Sequence, residues 1–341
     1  DPMDVIDRYG VDSLRFFLTT NSTPGQDIRY SPEKIEAAWN FINKIWNASR
    51  FTLMNLDGPF NDKLSDLSDV GVIDRWIINK FNKTLLSINN NMDKYEFALV
   101  GNELYSFIWD DFCSWYIELA KAGLYSDDQR IKLKTQTTLV IILKNILKLL
   151  HPFMPFVSEE IYHYLPHDEE SLCISQWPIP IDIKTEQASI QCERLINIIK
   201  GIREVKIDAQ LKPSTELLVA VKNENDEFIA VDEAMAMILK KMTHAIWTDK
   251  LDGEVMIKPI TNGVLYIPQS QVIDKQAELT KLLFEKEKLE KEVKRAQRML
   301  DNPSFISKAP ADKVETEKIK LAEYQRQYDL ICERLKGLNN E

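Results

Sequence analysis

From residue 31 to residue 150 the chain repeats one pattern. Apolar positions recur in steps of three and four over a long stretch, and a polar or proline-containing break then closes it. The first stretch carries Ile35, Ala38, Trp39, Ile42, Ile45, Trp46, Ser49 and Leu53 on its periodic face. Ser31-Pro32-Glu33 opens it with a hydroxyl cap, a proline at the first helical position and an early acid. Asp57-Gly58-Pro59 stops it after about Leu56. A second helix is expected from Val72 or Ile73, with Trp76, Ile77, Phe81, Leu85 and Ile88 on one face. A third runs from Tyr95 to about Gly123 and is dense in rings, most of which must be core because aromatic area stabilises by burial. A fourth spans about Asp127 to Leu150 and ends at His151-Pro152-Phe153-Met154-Pro155-Phe156, a fixed apolar corner set by two prolines. A further helix follows from Val157 to Tyr164, and Trp177-Pro178 closes the region. Upstream, residues 4–20 read as a short helical unit broken at Gly10, followed by a loop to Tyr30. The sum is an antiparallel helix bundle over about Pro32 to Pro180.

The pattern then changes twice. Ala188 to Asp208 and Glu227 to Lys241 read as helices. Leu217–Val221, Ala245–Thr248, Glu254–Ile257 and Val264–Ile267 read as short strands, with Thr261-Asn262-Gly263 as a hairpin turn. This is a small α+β module. From Asp274 onward Leu279, Leu282, Lys286, Leu289, Val293, Ala296 and Leu300 form a heptad seam, and Val314, Leu321, Tyr324, Tyr328, Ile331, Leu335 and Leu338 form a second. Asn302 to Pro310 lies between them as a turn, so the two arms make an antiparallel coiled-coil hairpin. The fold class is therefore mainly α: a helix bundle, a small α+β module and a C-terminal coiled-coil hairpin.

Length and charge narrow the function. The 341 residues are too many for one small domain, and 44% hydrophobic with 28% charged is ordinary for a folded soluble chain. A net charge of −10 argues against coating nucleic acid through bulk charge but leaves room for a local basic surface. Cys113, Cys173, Cys192 and Cys332 form no C-x-x-C pair, and the four histidines complete no zinc pattern; reduced thiols in a cytoplasmic protein fit best. No apolar run is long enough to span a membrane. The opening Asp1-Pro2-Met3 lies in mid-pattern, as expected of a piece of a longer protein.

The candidate chemistry is recognition. Asn40, Asn43, Lys44, Asn47 and Arg50 follow one another at three- and four-residue steps on the first long helix. Solvated faces normally use Glu and Lys, better helix formers than Asn, whereas amides and guanidinium groups together suit phosphates and base edges. Amides bonded to loops of the same protein are the plainer alternative. Arg194, Lys200, Arg203, Lys206 and Lys212 surround the module's first helix, and Lys288, Lys291, Lys294, Arg295 and Arg298 line the first hairpin arm, where pairing with the arm's own glutamates is the alternative. Asp110, Asp111 and Glu118 fit partners for lysines better than an acid–base pair, and His151 fits a capping donor.

Several stretches together resemble a known family. Residues Asp1 to Arg15 are similar to the segment after the Lys-Met-Ser-Lys-Ser loop of class I aminoacyl-tRNA synthetases. Trp39–Phe51, the Trp109, Phe112, Trp115, Tyr116 and Glu118 set, and the His151–Phe156 corner with Glu159-Glu160 resemble the anticodon-binding bundle of the Val/Ile/Leu subgroup. Asn302-Pro303, Phe305, Lys308-Ala309-Pro310 and Val314 resemble the tip of the terminal hairpin of valyl-tRNA synthetases, which separates them from isoleucyl and leucyl relatives. The resemblance covers nearly the whole chain and implies four segments: a helical remnant after the catalytic core (1–30), an anticodon-binding bundle (31–186), an α+β linker (187–271) and a tRNA-binding hairpin (272–341). It implies docking of a valine-accepting tRNA by a monomeric enzyme, with ATP and Mg used in a part absent here. It also implies no cofactor, metal or catalytic residue in this chain. The site residues it singles out are Asn43, Lys44, Asn47, Arg50, Arg203, Lys291, Arg295 and Arg298. A protein-interaction module, or the same region of an isoleucyl- or leucyl-type enzyme, is the rival reading.

Overall fold

The computed structural model describes residues 1–22, 25, 27–56, 67, 69–167, 169–223, 225, 227–251, 253–272, 275–302 and 311–340, with backbone alone at 275–281, 311–312, 334 and 336–340. The expected Asn302–Pro310 turn, apart from Asn302, and most of the Asp57–Asp69 connection lie outside the described residues, as do the side chains of Leu279 and Leu338. Contacts divide the chain into two units, Asp1–Asn197 and Ile198–Glu341.

In the first unit, α1 (Pro2–Tyr9) and α2 (Val11–Thr20) meet at Gly10, whose φ of 79° breaks the helix at little steric cost. α3 (Pro32–Met54) begins as the sequence predicts: Ser31 caps it, its hydroxyl accepting from the Lys34 N–H at 3.3 Å. α4 (Val72–Asp93) buries all five expected apolar residues, Trp76 to Ile88. α7 (Gln129–Leu150) is buried nearly all round from Thr135 to Leu150, which places it at the centre of the bundle. α8 (Pro155–Tyr164) follows the two-proline corner. The Asp12 carboxylate accepts from the Val157 N–H at 2.7 Å and the Phe156 N–H at 3.4 Å, capping α8 from α2, and the Arg15 guanidinium donates to the Pro152 carbonyl at 3.1 Å. The N-terminal helices are thus tied to the corner.

The third stretch is one continuous helix with an unexpected middle. α5 (Phe97–Tyr105) passes into a π-helix (Ser106–Tyr116) and then into α6 (Ile117–Leu124). The reason lies in spacing. Phe107, Phe112 and Ile117 recur every five residues, as do Ile108 and Cys113, and all five are buried. An i→i+5 helix has about 4.4 residues per turn, so a five-residue step lands nearer the same face than it does in a 3.6-residue coil, and the wider coil gathers rings that the α-helix would splay. Asp111 and Glu118 have lysine partners, as expected, whereas Asp110 is exposed and accepts from the Ser106 hydroxyl at 3.5 Å. Asp111 and Glu193 hold Lys80 at 3.4 and 2.8 Å, and Glu118 holds Lys121 at 2.7 Å. His151 differs in detail: its Nδ1 meets the Ser158 hydroxyl at 2.9 Å, one turn into α8.

α9 (Glu186–Asp208) begins in the first unit and ends in the second. The second unit has four strands, β1 (Leu217–Lys222), β2 (Ala245–Trp247), β3 (Val255–Ile260) and β4 (Gly263–Pro268), in the order β2-β1-β4-β3. β1 and β2 are parallel, joined through α10 (Glu233–Thr243), and β3–β4 is the expected hairpin, with Asn262 at φ 63° in its turn. A short helix, α11 (Gln269–Val272), precedes the two long arms α12 (Lys275–Leu300) and α13 (Ala311–Asn340), which pack on each other. Leu282, Ala296 and Leu335 are buried, and Lys286, Leu289, Val293, Leu321, Tyr324, Tyr328 and Ile331 are half-buried between charged outer faces, so the seam falls where the heptads put it.

Candidate nucleic-acid interface

α3 has a core strip and an opposite strip, and the core strip is not the one expected. Ile35, Ala38, Phe41, Ile45, Ala48, Ser49 and Thr52 are buried. Trp39 and Trp46, which the sequence reading places mainly in the core, are 41% and 37% exposed. Phe41 explains the rotation. Its ring lies 5.5 Å from Phe16 and 5.0 Å from Tyr105, and the smaller Ala48, Ser49 and Thr52 continue the packed strip beyond it. Two indoles are too wide to replace Ala48 and Thr52 in so close a contact.

The outward strip therefore holds Trp39, Asn40, Asn43, Trp46, Asn47 and Arg50 on adjacent turns. Among the described residues, the side chains of Asn40, Asn43, Asn47 and Arg50 make no hydrogen bond or ion pair, so the alternative of amides bonded to the protein's own loops does not hold for them. Lys44 lies on the flank of this strip. Its ammonium stands 5.0 Å above the Trp109 ring, which is itself stacked on Tyr105 at 5.4 Å. Of the four residues singled out on α3, three are together and uncommitted, and Lys44 is held by an aromatic pair.

The basic residues of the second unit divide sharply. Lys206 is corrected outright: it is 4% exposed and donates to the carbonyls of Pro213 at 2.8 Å, Thr215 at 2.6 Å and Thr243. Burial pushes its pKa down, and it fastens α9 to the following loop and to the end of α10 instead of contributing to a basic edge. The surroundings missed in the sequence are main-chain oxygens, which leave no pattern in it. Arg203 is exposed on α9 and already has a partner within the fold.

On α12, five cations, Lys288, Lys291, Lys294, Arg295 and Arg298, stand against two carboxylates, Glu290 and Glu292, over residues 288–298. Lys291, Lys294, Arg295 and Arg298 line a concavity of about 530 Å³ on the outer face, completed by Met299 and Asn302. Lys291 pairs with Glu287 at 2.7 Å, Lys294 with Glu290 at 2.5 Å and Arg295 with Glu292 at 2.9 Å. These exposed pairs are worth little and open readily to a phosphate. Lys288 and Arg298 have no partner among the described residues.

Two cysteines of the first unit, Cys113 and Cys192, are buried. Burial pushes the Cys113 thiol up to about 12 and the Cys192 thiol well above its usual range, so both stay protonated. Among the described residues no group of His, Cys, Asp or Glu side chains is arranged to hold a metal ion, and no helix is long and apolar enough to cross a membrane. What the two surfaces can do is bind: amides, guanidinium groups and indoles on α3, and a row of cations on α12.

Two family models and several curated relatives match the chain. Residues 74–221 match the family described as the anticodon-binding domain of tRNA ligase, and residues 274–339 match the valyl tRNA synthetase tRNA binding arm. The valine–tRNA ligase of Bacillus subtilis is 41% identical over 99% of this chain and 39% of its own length. That of Listeria innocua is also 41% identical, with the same coverage of 99% and 39%. A solved ternary complex, Agrobacterium radiobacter LeuRS–tRNA–LeuAMS, overlays at a TM-score of 0.42 with 16% identity, over 55% of this chain and 21% of that one. The chain thus spans about two fifths of the length of the curated relatives it matches.

Proposed function

From the premise that this chain corresponds to the C-terminal part of valyl-tRNA synthetases, we propose that it is the tRNA-docking region of a valine–tRNA ligase. In this reading residues 31–186 hold the anticodon arm, 187–271 join the two docking surfaces and 272–341 lie against the tRNA elbow. The observation that carries it is the placement of recognition groups. A chain of net charge −10 concentrates unpaired amides and Arg50 on one face of α3 and five cations on one stretch of α12.

The two surfaces divide the work by chemistry. Arg298, Lys288 and the readily released Lys291, Lys294 and Arg295 neutralise phosphates, which supplies salt-sensitive affinity without reading sequence. Asn43 and Asn47 present donors and acceptors to the edges of unpaired bases, and Arg50 anchors the adjoining phosphate. Docking through more than one surface fixes the acceptor end of a long rigid RNA, so this chain contributes positioning to a reaction carried out elsewhere in the parent enzyme. ATP and Mg act in that other part, the parent is a cytoplasmic monomer, and the residues of this chain take no chemical step. Binding of valine-accepting tRNA with steep salt dependence is the expected result. Salt-independent binding, or valine-dependent pyrophosphate exchange by the 341-residue chain itself, would contradict it.

A further inference from the structure

We propose that the bare face of the four-stranded sheet in the second unit is a docking site for a basic-flanked amphipathic helix of a separate protein. The site uses neither of the two surfaces assigned to RNA, so it stands or falls independently of tRNA docking.

The sheet has one covered face and one bare face. α9 covers the first: Lys258 of β3 pairs with Glu204 and Asp208 of α9 at 3.1 and 3.6 Å, and a Cβ at Gly201 of α9 would meet Ile260 and Leu265. Leu217, Val219 and Val221 of β1, Ala245 of β2, and Leu265 and Ile267 of β4 share that face, and each is at most 1% exposed. Side chains alternate along a strand, so the pairs Leu218–Ile246, Ala220–Tyr266, Ile257–Tyr266 and Pro259–Val264 lie on the opposite face. Phe228 joins them beside Lys222. There Leu218, Phe228 and Ile257 are 37%, 47% and 57% exposed. The outward face of an antiparallel sheet is normally polar. Here Lys222 is the one charged group among these residues, and its ammonium stands 5.0 Å over the Phe228 ring and 5.4 Å over the Tyr266 ring. β1 and β2 also run parallel, a pairing that belongs mostly to sheets with helices on both faces. The sheet is thus one helical layer short of that arrangement.

Charge and size choose the occupant. Residues 209–272 carry nine carboxylates against six lysines and no arginine, and Glu216, Glu227, Asp249 and Glu254 are exposed at the strand ends. That excess repels RNA phosphates, and the two rings that would stack on bases already carry a cation. It equally repels a second copy of the chain. Four strands about 4.8 Å apart and five residues at about 3.3 Å give the face roughly 300 Å², well below the ~800 Å² per partner of a stable dimer. A patch of this size stays soluble when bare, which suits a reversible partner. One helix about 10 Å wide covers it, with its apolar stripe on Leu218, Tyr266 and Ile257 and its lysines or arginines toward the carboxylates.

The test titrates a labelled leucine-and-lysine amphipathic peptide of about 18 residues onto the 341-residue chain, beside a glutamate-flanked version and a scrambled version that spoils the stripe. The lysine peptide should bind with a Kd below about 100 μM, and each of the other two at least about tenfold more weakly. Leu218→Ser and Ile257→Ser, both at exposed positions, should each weaken binding by about 5- to 30-fold, with circular dichroism unchanged. Met237→Ser, at a position 62% exposed on α10, should change it less than about twofold. Absence of peptide binding, equal binding of the glutamate peptide, or equal effects of all three substitutions would overturn the assignment. Displacement of the peptide by tRNA, with tRNA affinity lost in Ile257→Ser, would give the face to RNA instead. A dimer of the chain abolished by Ile257→Ser would give it to a second copy, and either result overturns the proposal.

Discussion

Asp74 sets a stability profile that can be worked out from its surroundings. It lies in the first turn of α4, fully enclosed, where its carboxylate accepts from the Tyr116 hydroxyl at 2.7 Å and the Thr135 hydroxyl at 3.2 Å. Burial raises its pKa from 3.8 to about 6, because enclosure disfavours the charged form more than these hydrogen bonds favour it. The folded chain therefore holds this proton more tightly than the unfolded chain. The group's contribution to stability is fully present below about pH 4, falls as pH rises through the folded value, and is lost above it, a difference of about 3 kcal/mol. Asp74→Asn keeps the shape and removes the proton. Urea unfolding between about pH 4 and pH 8 measures the effect. Tryptophan emission follows it well, because Trp39, Trp46, Trp76, Trp109, Trp115 and Trp177 all belong to the first unit and only Trp247 to the second. Other titrating groups, such as the raised carboxyl of Asp12, cancel between the two proteins. The stability of Asp74→Asn relative to the unsubstituted chain should rise by about 3 kcal/mol across this window. Parallel profiles would refute the reasoning.

Other substitutions test packing and the two surfaces. A Cβ at Gly101 would stand 2.3 Å from the Thr20 Cγ2 and 2.4 Å from its Cβ, so Gly101→Ala should cost about 1–3 kcal/mol in urea unfolding, and Thr20→Ala in the same chain, which keeps that Cβ, should recover little of the loss. Lys206→Met leaves three carbonyls without their donor and should destabilise the second unit by about 2–4 kcal/mol, read from Trp247 emission; a loss below about 1 kcal/mol would show that water replaces the ammonium. Arg50→Ala should weaken tRNA binding and lower the salt slope by about one unit, and an unchanged slope would remove Arg50 from the interface. Arg298→Ala should lower the slope as much, whereas Lys294→Ala, whose loss also frees Glu290, should weaken binding further through the uncovered carboxylate.

How much of this was legible depended on where the information lies. Caps, breaks and strand register are local, and Ser31-Pro32, Gly10 and Thr261-Asn262-Gly263 act in the fold as they read in the sequence. The heptad seam is equally local, because each arm's spacing faces a single partner. The orientation of α3 was not. Ile35, Ala38, Phe41, Ile45, Ala48 and Thr52 make as regular a stripe as the one through the two tryptophans, and hydrophobicity alone favours the wrong one. Only the ring contacts of Phe41 with Phe16 and Tyr105 decide between them. The π-helix was visible in principle as a five-residue repeat of apolar positions, a period rarely sought because such helices are rare. The burial of Lys206 had no sequence signal, since its partners are carbonyls that every residue carries. Of the candidate site, the amide strip and the basic arm were legible as unusual composition, while the lack of partners on the amide strip and the pairing of Lys291, Lys294 and Arg295 with the arm's own glutamates came only with the fold.

The central claim is that this chain docks tRNA through its own groups, and one measurement tests it most directly. Binding of the 341-residue chain is compared between a tRNA with a valine anticodon and the same tRNA with a swapped anticodon, at two salt concentrations. The account predicts binding that falls steeply with salt, with a preference for the valine anticodon that persists at both concentrations, because phosphate contacts set the slope and base contacts set the preference. Absence of binding to either tRNA, by a chain shown to be folded, would contradict it and favour a protein partner for both surfaces.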